Sequence, residues 1–249
     1  MRTDATSSRS LAKTNIGEKR WLCGRGMSLM SLAKSEMYNL ISQKLYTGVI
    51  CDTLDQLGFR NQAMREDIRP MDQAVTLVGT AKTMLAVDVY QTMKNPYDTE
   101  IKAIDSIQPD EVVVVATNRS TRNGPWGELL STAAKMRGAR GAIVDGLIRD
   151  SKRISELRFP VFCTGFKPVD SNGRGIVIDY DCPVEVGGVL VNSGDIVFAD
   201  HDGVVVIPKD TLEQVVEIAL QKVNRENRTR EELLQGKLLR DVYEKYGVL

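Results

Sequence analysis

The sequence predicts an α/β fold with a parallel strand–helix core joined to an antiparallel sheet. Two patterns carry that expectation. From Glu111 to Cys163 apolar runs alternate with helical ones in the order strand, helix, strand, helix, strand, each change marked by a glycine or proline. Such an alternation builds a parallel sheet with helical crossovers. From Gly173 to Pro208 short β-rich runs are divided by Gly187-Gly188, Asn192-Ser193-Gly194-Asp195 and Asp202-Gly203, which read as tight turns between antiparallel strands.

In chain order, Ser35 to Leu57 carries apolar residues at helical spacing (Met37, Leu40, Ile41, Leu45, Val49, Ile50, Leu54). Gly48 interrupts the pattern, so two helices or one bent helix are expected, with Gly58 as the stop. Val75–Val87 is rich in β-branched residues and reads as a strand, and a short helix falls between Pro96 and Ile107. Glu111–Ala116 is a buried strand, Glu128–Arg137 a helix stopped by Gly138, and Gly141–Asp145 a second buried strand. Asp150–Leu157 is a further helix, and Pro160–Cys163 opens the third strand. After the turn-rich segment a long helix runs from Asp210 to about Arg230, and the charged tail from Glu231 packs on a neighbour or frays.

Composition narrows the function classes. The 249 residues carry 33 basic and 33 acidic side chains, so the basic excess of a nucleic-acid-binding surface is missing. No apolar run is long enough to span a bilayer, and a cytoplasmic protein is expected. Residues 1–34 read as a disordered, Ser/Thr-rich extension without the apolar centre of a secretory signal. Residues 35–249 read as one domain with a C-terminal helical tail. The four cysteines (Cys23, Cys51, Cys163, Cys182) form no CxxC pair, which points to free thiols rather than a zinc site.

The residues that carry chemistry lie on two successive strand–helix loops. Gly127-Glu128-Leu129-Leu130 follows a long polar connection, and Arg149-Asp150 follows the next strand after a gap of twenty residues. In open α/β sheets ligands bind at such loops, beyond the carboxyl ends of the strands. The first amides of a helix starting at Glu128 lack helical partners and face an anion with the positive end of the helix dipole. Arg149 can grip the same anion or a neighbouring keto oxygen. Asp150 is a hard oxygen ligand suited to Mg²⁺ or Mn²⁺, which keep several waters and take one or two protein carboxylates. Glu128 would meet the metal through water. Together these groups favour an enolate, through which retro-aldol cleavage and β-decarboxylation of 2-oxo acids both pass.

At these residues the chain resembles the RraA-like family, which includes the 4-hydroxy-4-methyl-2-oxoglutarate/4-carboxy-4-hydroxy-2-oxoadipate aldolases. The shared pattern is Gly127-Glu128, the twenty-residue gap, then Arg149-Asp150, supported by the stretches from Gly48 to Leu54, Gly194 to Val197 and Asp202 to Pro208. The resemblance implies a three-layer β/β/α swivelling-domain fold, assembled as a homotrimer or homohexamer with sites between subunits. It implies that Asp150 ligates the metal directly, that Arg149 contacts substrate, and that amides of Gly127–Leu130 hold a pyruvyl carboxylate. Glu128 would lie in the outer metal shell. A glutamate from a neighbouring subunit would also approach the metal waters, and Glu226 is the candidate. The family pattern often has aspartate where this chain has Glu128.

The expected activity is that of a metal-dependent carbon–carbon lyase releasing pyruvate from a 4-hydroxy-2-oxo acid, with oxaloacetate decarboxylation alongside. The rival expectation is a non-catalytic regulator that binds ribonuclease E, as some RraA-like proteins do. Other polar residues read as structural. His201, between Asp200 and Asp202, is a turn residue; Asp52 and Asp55 are helix-surface groups; Trp126 either packs in the core or shields the pocket. Lys167 and Arg174 flank a loop and are candidates to meet a distal carboxylate.

Overall fold

A computed structural model describes residues 32–248. The expected N-terminal extension lies outside the described residues up to position 31. Helices α1 (Lys34–Lys44) and α2 (Thr47–Gln56) open the described chain. The break falls at Leu45-Tyr46, and Gly48 lies inside α2. Asp200 explains the position of the restart: its carboxylate accepts from the Thr47 amide (2.8 Å) and hydroxyl (2.7 Å), satisfying donors that a helix start leaves open.

An eight-stranded sheet runs in the order β1 (Arg69–Pro70), β6 (Val161–Cys163), β4 (Gly141–Val144), β3 (Glu111–Ala116), β2 (Leu77–Asp88), β11 (Ile196–Asp200), β12 (Gly203–Ile207). The expected parallel core is present, since β2, β3, β4 and β6 pair in parallel. Strand β2 is long enough to serve two partners on its other edge. Its first half pairs antiparallel with β11 and its second half with β8 (Gly175–Tyr180). The turn-rich segment therefore extends the main sheet rather than forming a separate one, apart from the hairpin β9 (Val184–Val186) and β10 (Val189–Val191), closed by Gly187-Gly188.

The alternation of β3 divides the core. Val113 and Val115 face α3 (Asp98–Asp105), α4 (Glu128–Met136) and α5 (Ser151–Leu157), where Ala103, Ile104, Ala134 and Ile154 are buried. Val112, Val114 and Ala116 face the hairpin valines 184, 186, 189 and 191. Hairpin, sheet and helices make the three layers. Helices α1, α2 and α6 (Leu212–Leu234) bury a third cluster on β11 and β12 around Phe198, Val205 and Ile207.

The charged tail is helical and packs on α6. Helix α6 runs on to Leu234, and a further helix, α7 (Leu239–Tyr246), returns onto it. Glu232 receives Lys245 (2.5 Å) and Tyr246 (3.0 Å), and Val242 is buried. The apolar residues of α7, Leu239, Val242, Tyr243 and Tyr246, are interleaved with charges, and of them Val242 is buried.

Candidate functional site

The strands β3 and β4 end side by side, so the loops that follow them are neighbours. The Thr117 hydroxyl donates to the Asp145 carbonyl and clips the two loops together. Asp145 is itself buried and paired with Arg65 at 2.8 Å. The first loop then enters α4. Trp126 is 1% exposed, its Nε1–H donates to Ser131 Oγ (2.8 Å), and that hydroxyl donates to the Gly127 carbonyl (2.9 Å). Trp126 is thus an anchor for the helix start, the core role of the two expected. The second loop contains the short strand β5 (Leu147–Ile148), which pairs with β7 (Gly165–Phe166) and bridges Trp126 through Ile148. The Arg149 amide donates to the Trp126 carbonyl (2.8 Å).

This lacing brings the two halves of the sequence motif together. The Glu128 amide lies 3.4 Å from Asp150 Oδ2. A Cβ added at Gly127 would lie 2.8 Å from Asp150 Oδ2 and 3.1 Å from Arg149 Cγ. Gly127 has an extended backbone (φ −148°), so the need for glycine there is space rather than conformation. Asp150 adopts φ 58°, ψ 27° as the N-cap of α5, yet its side chain accepts no hydrogen bond from its own helix. A left-handed backbone on a residue with a side chain is uncommon, and Asp tolerates it better than most. The result aims the carboxylate at the mouth of α4 instead of at its own helix.

The donors at that mouth are open. Helix α4 begins at Glu128, and the Ser131 N–H donates back to the Gly127 carbonyl (3.1 Å). Among the described residues the amides of Leu129 and Leu130 meet no acceptor ahead of them, the Trp126 carbonyl being used by Arg149. The Leu129 side chain is exposed and Leu130 packs partly against the core. Glu128 accepts from the Thr132 hydroxyl at Oε1 (2.8 Å).

Arg149 and Asp150 are half-exposed, at 36% and 43% of the side chain, and Arg149 Nε stands 3.8 Å from Asp150 Oδ2. The guanidinium has a second neighbour that the sequence did not reveal: its Nη2 lies 3.2 Å from Asp170 Oδ1. Tyr97, at the start of α3, donates to Asp170 Oδ2 (2.9 Å). Burial raises the Asp170 carboxyl, but Tyr97, the Asn172 amide and Arg149 outweigh it and hold it below the usual carboxylate range. Asp170 lies in the loop that Lys167 and Arg174 flank, and no motif in the sequence singles it out.

Asp150 suits a divalent cation. Its carboxylate is solvent-accessible, and among the described residues the cation that faces it is Arg149, at 3.8 Å. No group of three or more His, Cys, Asp or Glu side chains converges among the described residues. The protein would offer a cation here one carboxylate, a number that magnesium accepts when water completes its shell.

The remaining expected residues lie elsewhere. Glu226, on α6, accepts from the Tyr46 hydroxyl of the same chain and is not joined to the Arg149–Asp150 cluster by any contact within it. Lys167 donates to the Thr121 carbonyl (2.7 Å) and Arg174 to the carbonyls of Asp170 and Asn172, so both staple loops around the site. His201 is exposed in the β11–β12 turn, and Asp52 pairs with Lys222. Cys51, Cys163 and Cys182 are free thiols; Cys23 lies outside the described residues.

Residues 47–206, more than half of the chain, match the RraA-like family, described as Aldolase/RraA. The chain belongs to the RraA-like family. Its relatives within that family carry different names. A protein of Halalkalibacterium halodurans named "Putative 4-hydroxy-4-methyl-2-oxoglutarate aldolase" is 32% identical over 71% of this chain and 79% of its own. The protein DlpA of Legionella pneumophila is 30% identical over 84% of this chain, but this chain spans only about a third (34%) of DlpA. Among solved structures, RraAS2 of Streptomyces coelicolor, described as an unusual member of the RNase ES inhibitor RraA protein family, is 30% identical. It covers 80% of this chain and 97% of its own, with a TM-score of 0.71. No helix among the described residues is long and apolar enough to cross a membrane.

Proposed function

We propose that this RraA-like chain is a divalent-metal-dependent lyase that releases pyruvate from a 4-hydroxy-2-oxo di- or tricarboxylic acid and decarboxylates oxaloacetate. The observation that carries the reading is the meeting of Asp150, Arg149 and the open amides of α4 at the side-chain-free surface of Gly127. The aldolase name of the H. halodurans relative supports the same class.

The chain's own groups divide the work. The Leu129 and Leu130 amides and the helix dipole hold the carboxylate next to the keto group. Arg149, turned by Asp170, faces the keto oxygen or that same carboxylate. Asp150 would hold Mg²⁺ or Mn²⁺, with Glu128 reaching it through water. When bound, the cation supplies positive charge where the enolate develops. In the aldol cleavage the C3–C4 bond breaks. The 4-hydroxyl proton passes to a base, for which Glu128 is the nearest carboxylate on the helix start, and the bonding pair moves onto the 2-oxo group. Protonation at C3 then gives pyruvate. In oxaloacetate the same bond breaks with loss of CO₂ and needs no base. Glu226 would act only across a subunit contact in a homotrimer or homohexamer.

A screen of 4-hydroxy-2-oxo acids and oxaloacetate, with and without Mg²⁺ or Mn²⁺ and scored by pyruvate formed, tests this reading. Likeness to the Streptomyces protein supports a second one, a regulator that binds ribonuclease E. A pull-down with ribonuclease E beside the pyruvate screen separates the two.

A further inference from the structure

Beside the Tyr97–Asp170–Arg149 chain lies a narrow cleft with polar groups set among apolar walls. Its walls include Asp88, Tyr97, Glu100, Asn123, Ser171 and Gly175, and its room is about 20 Å³, enough for about one water. Two of its polar groups are engaged: Ser120 donates to Asp88 (2.6 Å) and Tyr97 to Asp170. Glu100 is different. It is 9% exposed, lines the cleft, and among the described residues makes no hydrogen bond or ion pair.

An unpaired carboxyl at such depth avoids charge by keeping its proton. Burial pushes Glu100 up to about 7, the charge of Asp170 pushes the same way, and Arg149 opposes both. Tyr97 on its own helix and Asp88 from β2 line the cleft with it, and the charges of Asp170 and Arg149, joined to that wall through the Tyr97 hydrogen bond and the ion pair beyond it, act on it. From α4, Arg137 is taken up by Asp105 at the far end of α3. Asp170 and Glu100 form a pair whose surroundings favour charge on the first and a proton on the second, a division that assigns distinct roles to two carboxyls.

We propose that Glu100 is a positioning residue for Arg149: as the neutral acid it leaves the guanidinium to Asp170 and an anionic ligand, and as a carboxylate it draws the guanidinium away and weakens that ligand's hold. The inference rests on the reading of Arg149 as an anion holder.

The test uses oxalate, a planar dicarboxylate with the shape of the pyruvate enolate, titrated calorimetrically with Mg²⁺ at pH 6 and pH 8. The wild-type protein should lose affinity over that interval by about fivefold or more, and Glu100→Gln should keep its pH 6 affinity at pH 8. An equal loss in both proteins overturns the proposal. Infrared difference spectra of wild type against Glu100→Gln supply an independent arm. A protonated-carboxyl band should be present at pH 6 and gone at pH 8.5. Absence of the band at pH 6 overturns the proposal however oxalate behaves. A titrating band with no oxalate binding to the wild type at pH 6 identifies the Arg149 reading as the failure and overturns the proposal with it.

Discussion

Gly127 and Asp150 leave no room for a methyl group between them: a Cβ on the glycine would stand 2.8 Å from the aspartate Oδ2. The glycine caps α4 and the aspartate caps α5, so this approach is where two strand–helix units are fitted to each other. Gly127→Ala should push the Arg149–Asp150 pair off the helix mouth while leaving the backbone conformation allowed. Pyruvate formation should fall by about tenfold or more, since small misplacements at a reacting centre are costly. The circular dichroism spectrum should not change.

Asp170 governs where Arg149 points. Asp170→Asn keeps an acceptor for Tyr97 but removes the charge that faces Nη2 at 3.2 Å. The expected effect is a rise in KM of about tenfold for the 2-oxo acid with a smaller change in kcat, because a loosened guanidinium loses binding shared by ground and transition states. Steady-state kinetics on the most active substrate of the screen measure both.

Glu100 should also mark the pH dependence of stability. Its folded value of about 7 lies above the ordinary 4.5, so the folded state binds the proton more tightly than the unfolded one. Its contribution is fully present below pH 4.5 and is lost as pH rises through 7. Glu100→Gln should therefore be more stable than wild type at pH 8, by on the order of 2–3 kcal/mol, and near parity at pH 4.5. Urea unfolding at the two pH values measures the difference.

The parts of the fold legible in sequence are those fixed by local pattern. The valine run of β3, the Gly138 stop of α4 and the Pro160 entry to β6 each announce their element within a few residues. The double service of β2, shared between β11 and β8, depends on pairings across more than a hundred residues and left no local trace. The two-residue strands β5 and β7 are too short to have a period. At the site, Gly127, Glu128, Arg149 and Asp150 were found because the alternation of strand and helix places successive loops side by side. Asp170 and Glu100 were not, since one sits in an ordinary turn and the other beside Asp98 in a first helical turn that reads as solvated. Only packing shows that the first faces Arg149 and the second is buried.

The most direct measurement is pyruvate release from oxaloacetate and 4-hydroxy-2-oxo acids by the chelated protein, before and after Mg²⁺ or Mn²⁺ is restored, for wild type and Asp150→Ala. The account predicts turnover that disappears on chelation, returns with either metal in the wild type, and returns with neither in the variant. Turnover that survives chelation, or metal-restored turnover in Asp150→Ala, would contradict it.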